Sequence, residues 1–253
     1  MRTDFTLMQK MITGFSTRLP TTNSGKSRTC GGFPDEQRVS LPDHVDRGLS
    51  LRQILDRRSS SLSYDAEGLF LTEQLASLRN ALRRDREDWE EIASIIPIEG
   101  FVFALRTIDL SPGIYHVDSD DATHIGQLTP PEHWEDLGVQ KEFAKASAIV
   151  SVAADLDRAD SWGGTHGYRV AMARAAAVVY DFHLSCIGHG LVGTVFAGFI
   201  PASVRHVLKS DGISRHQMFA VTVAPPPTRE AKTLSPSPSE AVRTPLASVG
   251  TMP

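Results

Sequence analysis

The sequence predicts a layered α+β or α/β domain, and three observations predict it. Helical and strand-like stretches alternate between residues 46 and 224, with helical stretches dominant. One stretch, SAIVSVAADL, is apolar at consecutive positions, as a strand buried on both faces must be. Another, residues 168–188, is a long, Ala-rich apolar run of helical length. The flanks differ in kind. Residues 1–45 are polar and irregular and read as a flexible N-terminal arm. Residues 225–253 are rich in Pro, Ser and Thr and cannot bury enough apolar area to offset chain entropy, so they read as a disordered tail.

Each element has its own signal. Ser50 followed by Gln53 is a capping-box pattern, and Leu51, Ile54 and Leu55 follow at helical spacing, so a first helix runs through Arg57. Leu71, Leu75, Leu78 and Leu82 give a second helix ending in the charged run RRDRED. FVFALRTI is a buried strand, Ser111-Pro112-Gly113 a turn, and IYHVD a second short strand. Residues 132–146 read as helix. VRHVL reads as a short helix, and MFAVTVA as a closing strand.

Composition excludes some functions. A formal net charge of -4 and a pI near 6.1 give no basic excess to attract nucleic acid or an anionic membrane surface. The apolar stretches near Ala175–Val179 and Gly190–Ile200 are too short or too Gly-rich to span a bilayer, and MRTDFTLMQKMITGF has no clean signal-peptide core. Two cysteines, Cys30 and Cys186, suit a reduced cytoplasmic protein. His183, Cys186 and His189 recur at helical spacing, but no fourth zinc ligand stands nearby, so no metal is expected.

Four segments, in order, resemble the SagB-type branch of the nitroreductase superfamily, which includes azoline dehydrogenases of ribosomal peptide natural products. They are VSLPDHVDRGLSLRQILDRRSS, TIDLSPGIYHVDSDDATHIGQL, GTHGYRVAM and HGLVGTVFAGFIPASVRHVL, and their order and spacing fit from about residue 37 to residue 224. The resemblance implies a three-layer α+β fold, with a mostly antiparallel sheet flanked by helices. It also implies a homodimer with FMN at the subunit interface.

The resemblance assigns roles residue by residue. Arg57, Arg58 and Ser59 match the stretch that grips the FMN phosphate, where guanidinium forks pair with phosphate oxygens. Read alone, the same arginines are a basic helix terminus complementing the helix dipole. Ser61 stands where the family has a further arginine, and Arg205 or Lys209 can compensate. The loop of Gly190, Leu191 and Gly193 matches one that lies against the flavin ring; an ordinary helix cap and turn would also choose glycine.

Other positions depart from the pattern. A Pro-Ser-Ala-Gly motif is replaced by Glu90, Glu91, Ile92 and Ala93, unless Pro97-Ile98-Glu99-Gly100 is a shifted remnant. The Lys-Tyr proton-abstracting pair is replaced by Trp162 and Gly163, leaving His166 and Tyr180 as candidate catalytic bases. The family's Glu, Gly, Gln and Asn on the long helix are Arg174, Ala176, Tyr180 and Asp181. The expected activity is therefore an FMN-dependent oxidation of a modified peptide or natural-product intermediate. The alternatives are a flavin-poor subunit that binds a peptide or partner protein, or recruitment to a non-redox reaction.

Overall fold

The structure, a computed structural model, describes residues 33, 38–43, 49–65, 67–137, 140–197 and 205–227. At its centre is strand β5 (Ala148–Ala154), in which all seven residues are buried. This is the stretch whose unbroken apolar run predicts burial on both faces. It lies between β2 (Ile98–Ala104) and β7 (His216–Val223). With β1 (Arg38–Val39), β3 (Gly113–Val117), β4 (Ala122–Gly126) and β6 (Val195–Phe196) they form one antiparallel sheet, ordered β1-β4-β3-β2-β5-β7-β6. Side chains alternate across it. Val102, Ala104, Val150, Val152 and Val221 pack to one face, while Phe101, Phe103, Ile149 and Ala220 pack to the other.

The first face is covered by two long helices, α2 (Leu71–Ile95) and α4 (Thr165–Gly188); the short helices α1 (Leu51–Arg57) and α3 (Leu156–Gly163) lie beside them, α1 packing on α4 and α3 on both. Helix α2 continues past the charged run at which the sequence suggests an end. It turns through a non-helical residue, Glu90 (φ 31°, ψ -101°), and resumes to Ile95. Its N-cap residue, Phe70, supplies no side-chain hydrogen bond. Asp109 does so from another segment, accepting from the amides of Leu71 (2.6 Å) and Thr72 (3.0 Å). Burial raises the Asp109 carboxyl, but these donors and the Thr72 hydroxyl outweigh it and hold it below its ordinary value. Helix α3 was not foreseen; Asp155 ends β5 and caps it through the amide of Arg158 (2.9 Å). Helix α4 is apolar and long enough to cross a bilayer, but 56% of that window is buried in the protein. Its apolarity serves the core.

The second face departs from expectation. Residues 132–146 form two short 3-10 helices, Pro131–Leu137 and Lys141–Lys145, instead of one helix. The first buries Leu137 and the second Phe143 and Ala144, with no continuous stripe between them to favour a longer helix. In VRHVL, Arg205–Leu208 form turns, and Lys209 follows at φ 48°, which stops helical propagation. Val204 lies outside the described residues. The sheet is therefore flanked by α-helices on one side and by 3-10 turns on the other.

Within residues 1–45, Phe33 and 38–43 are described, and Arg38–Val39 form an edge strand against β4. The rest of that arm, and residues 228–253 of the tail, lie outside the described residues.

Buried charge locks the helical layer. Arg174 of α4 is 1% exposed and pairs bidentately with Asp85 of α2, at 3.0 and 2.6 Å. Its remaining nitrogen donates to the Ile96 carbonyl (2.7 Å), tying off the end of α2. Removing one member strands the other charge in the core. Arg174→Met is expected to cost about 3–5 kcal/mol in chemical denaturation, and the pair Arg174→Met with Asp85→Leu substantially less. Equal losses in the single and double variants would show that packing alone accounts for the site.

Candidate functional site

The site begins at α1. Ser50 accepts from the Gln53 amide (3.3 Å), and the Gln53 side chain accepts from the Ser50 amide (2.8 Å), so the capping box forms. No residue of α1 is buried, and the helix stops at Arg57, with Arg58 extended (φ -65°, ψ 116°). Ser60 then pairs in parallel with Gly193. The Ser61 amide donates to the Gly193 carbonyl (3.1 Å), and the Thr194 hydroxyl donates to the Ser61 carbonyl (2.8 Å). Further on, the Tyr64 hydroxyl lies 2.9 Å from the Thr222 hydroxyl, and the Asp65 amide donates to the Pro225 carbonyl (3.1 Å). Burial pushes the Tyr64 phenol up. These bonds fasten the segment that directly follows Arg57, Arg58 and Ser59 to the glycine loop and the end of β7, over 130 residues away in sequence. Neither arginine forms an ion pair among the described residues.

The loop glycines have structural reasons of their own. Gly190 (φ 79°) follows the C-cap of α4; its amide donates to the Ile187 carbonyl and that of Leu191 to the Cys186 carbonyl, which together make a Schellman motif. A Cβ on Gly193 would stand 1.8 Å from the Thr222 carbonyl oxygen. Strand packing therefore selects glycine at 193, and helix termination selects it at 190. Leu191 is half-buried and packs on the core. Nothing lies within 4 Å of the space a Cβ on Gly190 would occupy.

Beside this junction lies a residue that in the sequence belongs only to a weak metal-like spacing with Cys186 and His189. His183 of α4 is 3% exposed, and its Nδ1 has no hydrogen-bond partner. Burial, with the Arg58 charge as second cause, pushes it down to about 4. Its orphaned polar atom is visible only in three dimensions. Cys186, one turn on, points its thiol at Gln74 Oε1 (3.4 Å), and burial pushes that thiol far up.

Other expected site residues lie elsewhere. The Arg205 guanidinium sits 3.3 Å from where a Cβ on Gly212 would stand, ahead of β7. Gly193 contacts Thr222 near the far end of β7, and His216 to Thr222 spans about 20 Å of extended chain. Arg205 therefore does not complete the Arg57–Arg58 group within one protomer. His166, on the first turn of α4, stacks on Trp162 at 5.7 Å and is exposed. Tyr180 is 40% exposed on the same helix. Fourteen helical residues, about 21 Å, separate the two, so they cannot serve one reacting centre in one protomer.

The segment matched to the ring-contacting motif is also recast. Glu90–Ala93 belong to α2, whose end Arg174 ties down. In the alternative register, Pro97-Ile98-Glu99-Gly100 enters β2, and Glu99 turns to the other face. There Arg215 binds it at 2.7 and 2.9 Å and His116 at 3.1 Å. Burial would raise the Glu99 carboxyl; the His116 and Arg215 hydrogen bonds and charges outweigh it and bring it to about 2. Between Glu99, Asp85, Arg86 and Asp120 opens a cavity of about 360 Å³.

With this geometry in place, comparisons locate the fold. The chain is similar to a protein assigned as a nitroreductase from Anabaena variabilis, at 18% identity and a TM-score of 0.61, over 75% of this chain and 42% of that one. It is similar to another so assigned from Ralstonia eutropha, at 18% identity and a TM-score of 0.56, over 83% and 95%. A chain of the E. coli microcin synthetase McbBCD complex, solved with truncated pro-MccB17 bound, matches at 16% identity and a TM-score of 0.56, over 87% and 91%. This chain thus spans less than half of the Anabaena protein and nearly all of the other two. No family model and no curated protein matches it. The fold is nitroreductase-like, in a divergent sequence.

Two outcomes follow for stability. Gly193→Ala is expected to cost on the order of 3 kcal/mol, because backbone blocks the new methyl, and Gly190→Ala about 1 kcal/mol, from φ strain in open space; equal costs in thermal melts would contradict these assignments. Glu99, lowered in the fold, contributes stability above pH about 4.5 that is lost as pH falls toward about 2. Glu99→Gln should remove on the order of 3 kcal/mol near pH 6, and the gap should close on acidification through that window. A gap independent of pH would show that the carboxylate charge contributes nothing.

Proposed function

We propose that this protein is an FMN-dependent oxidoreductase of SagB or nitroreductase type, acting on a modified peptide or natural-product intermediate. The observation that supports it is the junction of Ser60 and Ser61 with Gly193, which brings the segment just after two arginines, unpaired among the described residues, onto an open loop. Such a pair suits a phosphate monoester, whose oxygens accept charge-assisted hydrogen bonds. Arg57, Arg58 and Ser59 would hold the FMN phosphate, and the open space over Gly190 leaves room for the rest of the nucleotide. When bound, FMN supplies a hydride acceptor at its N5 position. In this reading His166 or Tyr180 takes the substrate proton. Their separation along α4 means that one acts and the other does not, or that the two serve different protomers of a homodimer. The likeness to a chain of a peptide-bound complex favours a peptide substrate.

A second reading has its own support. The ring-contacting positions of the resemblance, Glu90–Ala93, belong to a helix end, a departed position of the long helix, Arg174, makes a buried ion pair with Asp85, and both loop glycines have structural reasons. A flavin-poor subunit that binds a peptide or partner protein without redox catalysis would keep these features.

Purified protein separates the two. An FMN-binding enzyme is expected to show flavin absorbance and to release FMN on denaturation. The double variant Arg57→Ala with Arg58→Ala should lose at least about tenfold in FMN affinity, since each charge-assisted contact contributes roughly 1.5–3 kcal/mol. A colourless protein that takes up no added FMN favours the second reading. Unchanged affinity in the double variant refutes the phosphate assignment.

A further inference from the structure

Among the described residues, Arg57 and Arg58 at the end of α1 form no ion pair, α1 packs on α4, and the buried His183 of α4 has an unpartnered Nδ1. Ile54 of α1 packs 3.7 Å from where a Cβ on Gly188 would stand, and Arg58, one turn later, bears on His183, just over one turn earlier in α4. The helices thus pass antiparallel, with the basic end of one over the buried histidine of the other. Resting on the reading of Arg57 and Arg58 as a phosphate site, we propose that His183 is the third positive group of that site. It is neutral when the site is empty and protonated when the FMN phosphate seats beside Arg58.

The physical case begins with the orphaned Nδ1. A buried polar atom without a partner costs stability, and such atoms in native structures mark strain, catalysis or a missing ligand. Among the described residues, the Arg58 guanidinium is the charged group whose field acts on His183. Helix α1 brings Arg58; α2 brings the neutral Gln74 and Ser77, toward Cys186 and Ser185. The sheet brings Val150, Val152, Val221 and Val223, and α4 itself brings the Cys186 thiol and the Tyr180 ring at 6.4 Å. Burial disfavours the charged imidazole first, and the Arg58 charge second, which together bring it to about 4. A phosphate dianion reverses the second influence and opposes the first: it cancels the guanidinium field and adds an attraction of its own. The proton comes from solvent and adds to a ring nitrogen; no other bond changes. A third cation is otherwise lacking where Ser61 stands.

The test is calorimetric titration of the purified full chain with FMN near pH about 5.5, in two buffers of different ionisation enthalpy, for wild type and His183→Asn. Phosphorus NMR of bound FMN in both proteins gives the phosphate's own proton change, which is subtracted. Wild type is expected to take up about half a proton more than the variant, because the imidazole midpoint crosses the working pH on binding. Histidine ring NMR of the wild type alone covers the case in which the variant does not fold. The ring titrating near 4 should move its midpoint toward about 6 when FMN is added. FMN binding with equal proton uptake, or with that midpoint unmoved, overturns the proposal and leaves the phosphate site standing. Failure of the wild type to bind FMN overturns both.

Discussion

Backbone packing at Gly193 is the constraint on which the candidate site depends. The Thr222 carbonyl leaves no room for a side chain there, so the loop after α4 lies flat against β7. Only then can its own carbonyl turn outward to receive the Ser61 amide, and the Thr194 hydroxyl reach the Ser61 carbonyl. Through those two bonds the basic end of α1, which buries nothing itself, gains a fixed position. A helix of seven residues with no buried side chain would not hold its place by propensity.

Several arginines of the helical layer and the sheet are paired within the chain. Arg174, Arg215 and Arg84 each have a carboxylate partner: Asp85, Glu99 and Asp181. In the first two cases the pair is mostly buried and fastens two elements of one layer together, α2 to α4 and β2 to the start of β7. Arg57 and Arg58 have no such partner among the described residues, and the field of Arg58 falls on a buried imidazole. An anion site needs that asymmetry: cations already organised by the fold, held apart from internal counter-ions that would compete with a ligand.

The fold tolerates wide divergence because its determinants are few. Side chains alternate across β2, β5 and β7, and the apolar α4 and the apolar stripe of α2 cover one face. Solved structures at 16–18% identity share the fold. What changes is the chemistry laid over them. Where the resemblance places ring contacts, this chain has a helix end tied by Arg174, so the positions that read as motif losses now serve α2–α4 packing.

By itself, the sequence determined the elements whose signals are local or periodic. The capping box at Ser50, the leucine spacing of α2, the doubly buried β5 and the apolar α4 are all present, because hydrophobic periodicity and capping act within a few residues. The resemblance added the pairing of the Arg57 segment with the glycine loop as an expectation. Tertiary structure decided the rest. It capped α2 with Asp109 from a distant turn, split residues 132–146 into two 3-10 pieces, and set Arg205 at the other end of β7 from Gly193. It also left His183 buried, with an unpartnered Nδ1, in the field of Arg58. These outcomes turn on which side chains meet across the fold, and contacts between residues far apart in the chain leave no mark in the order of its residues.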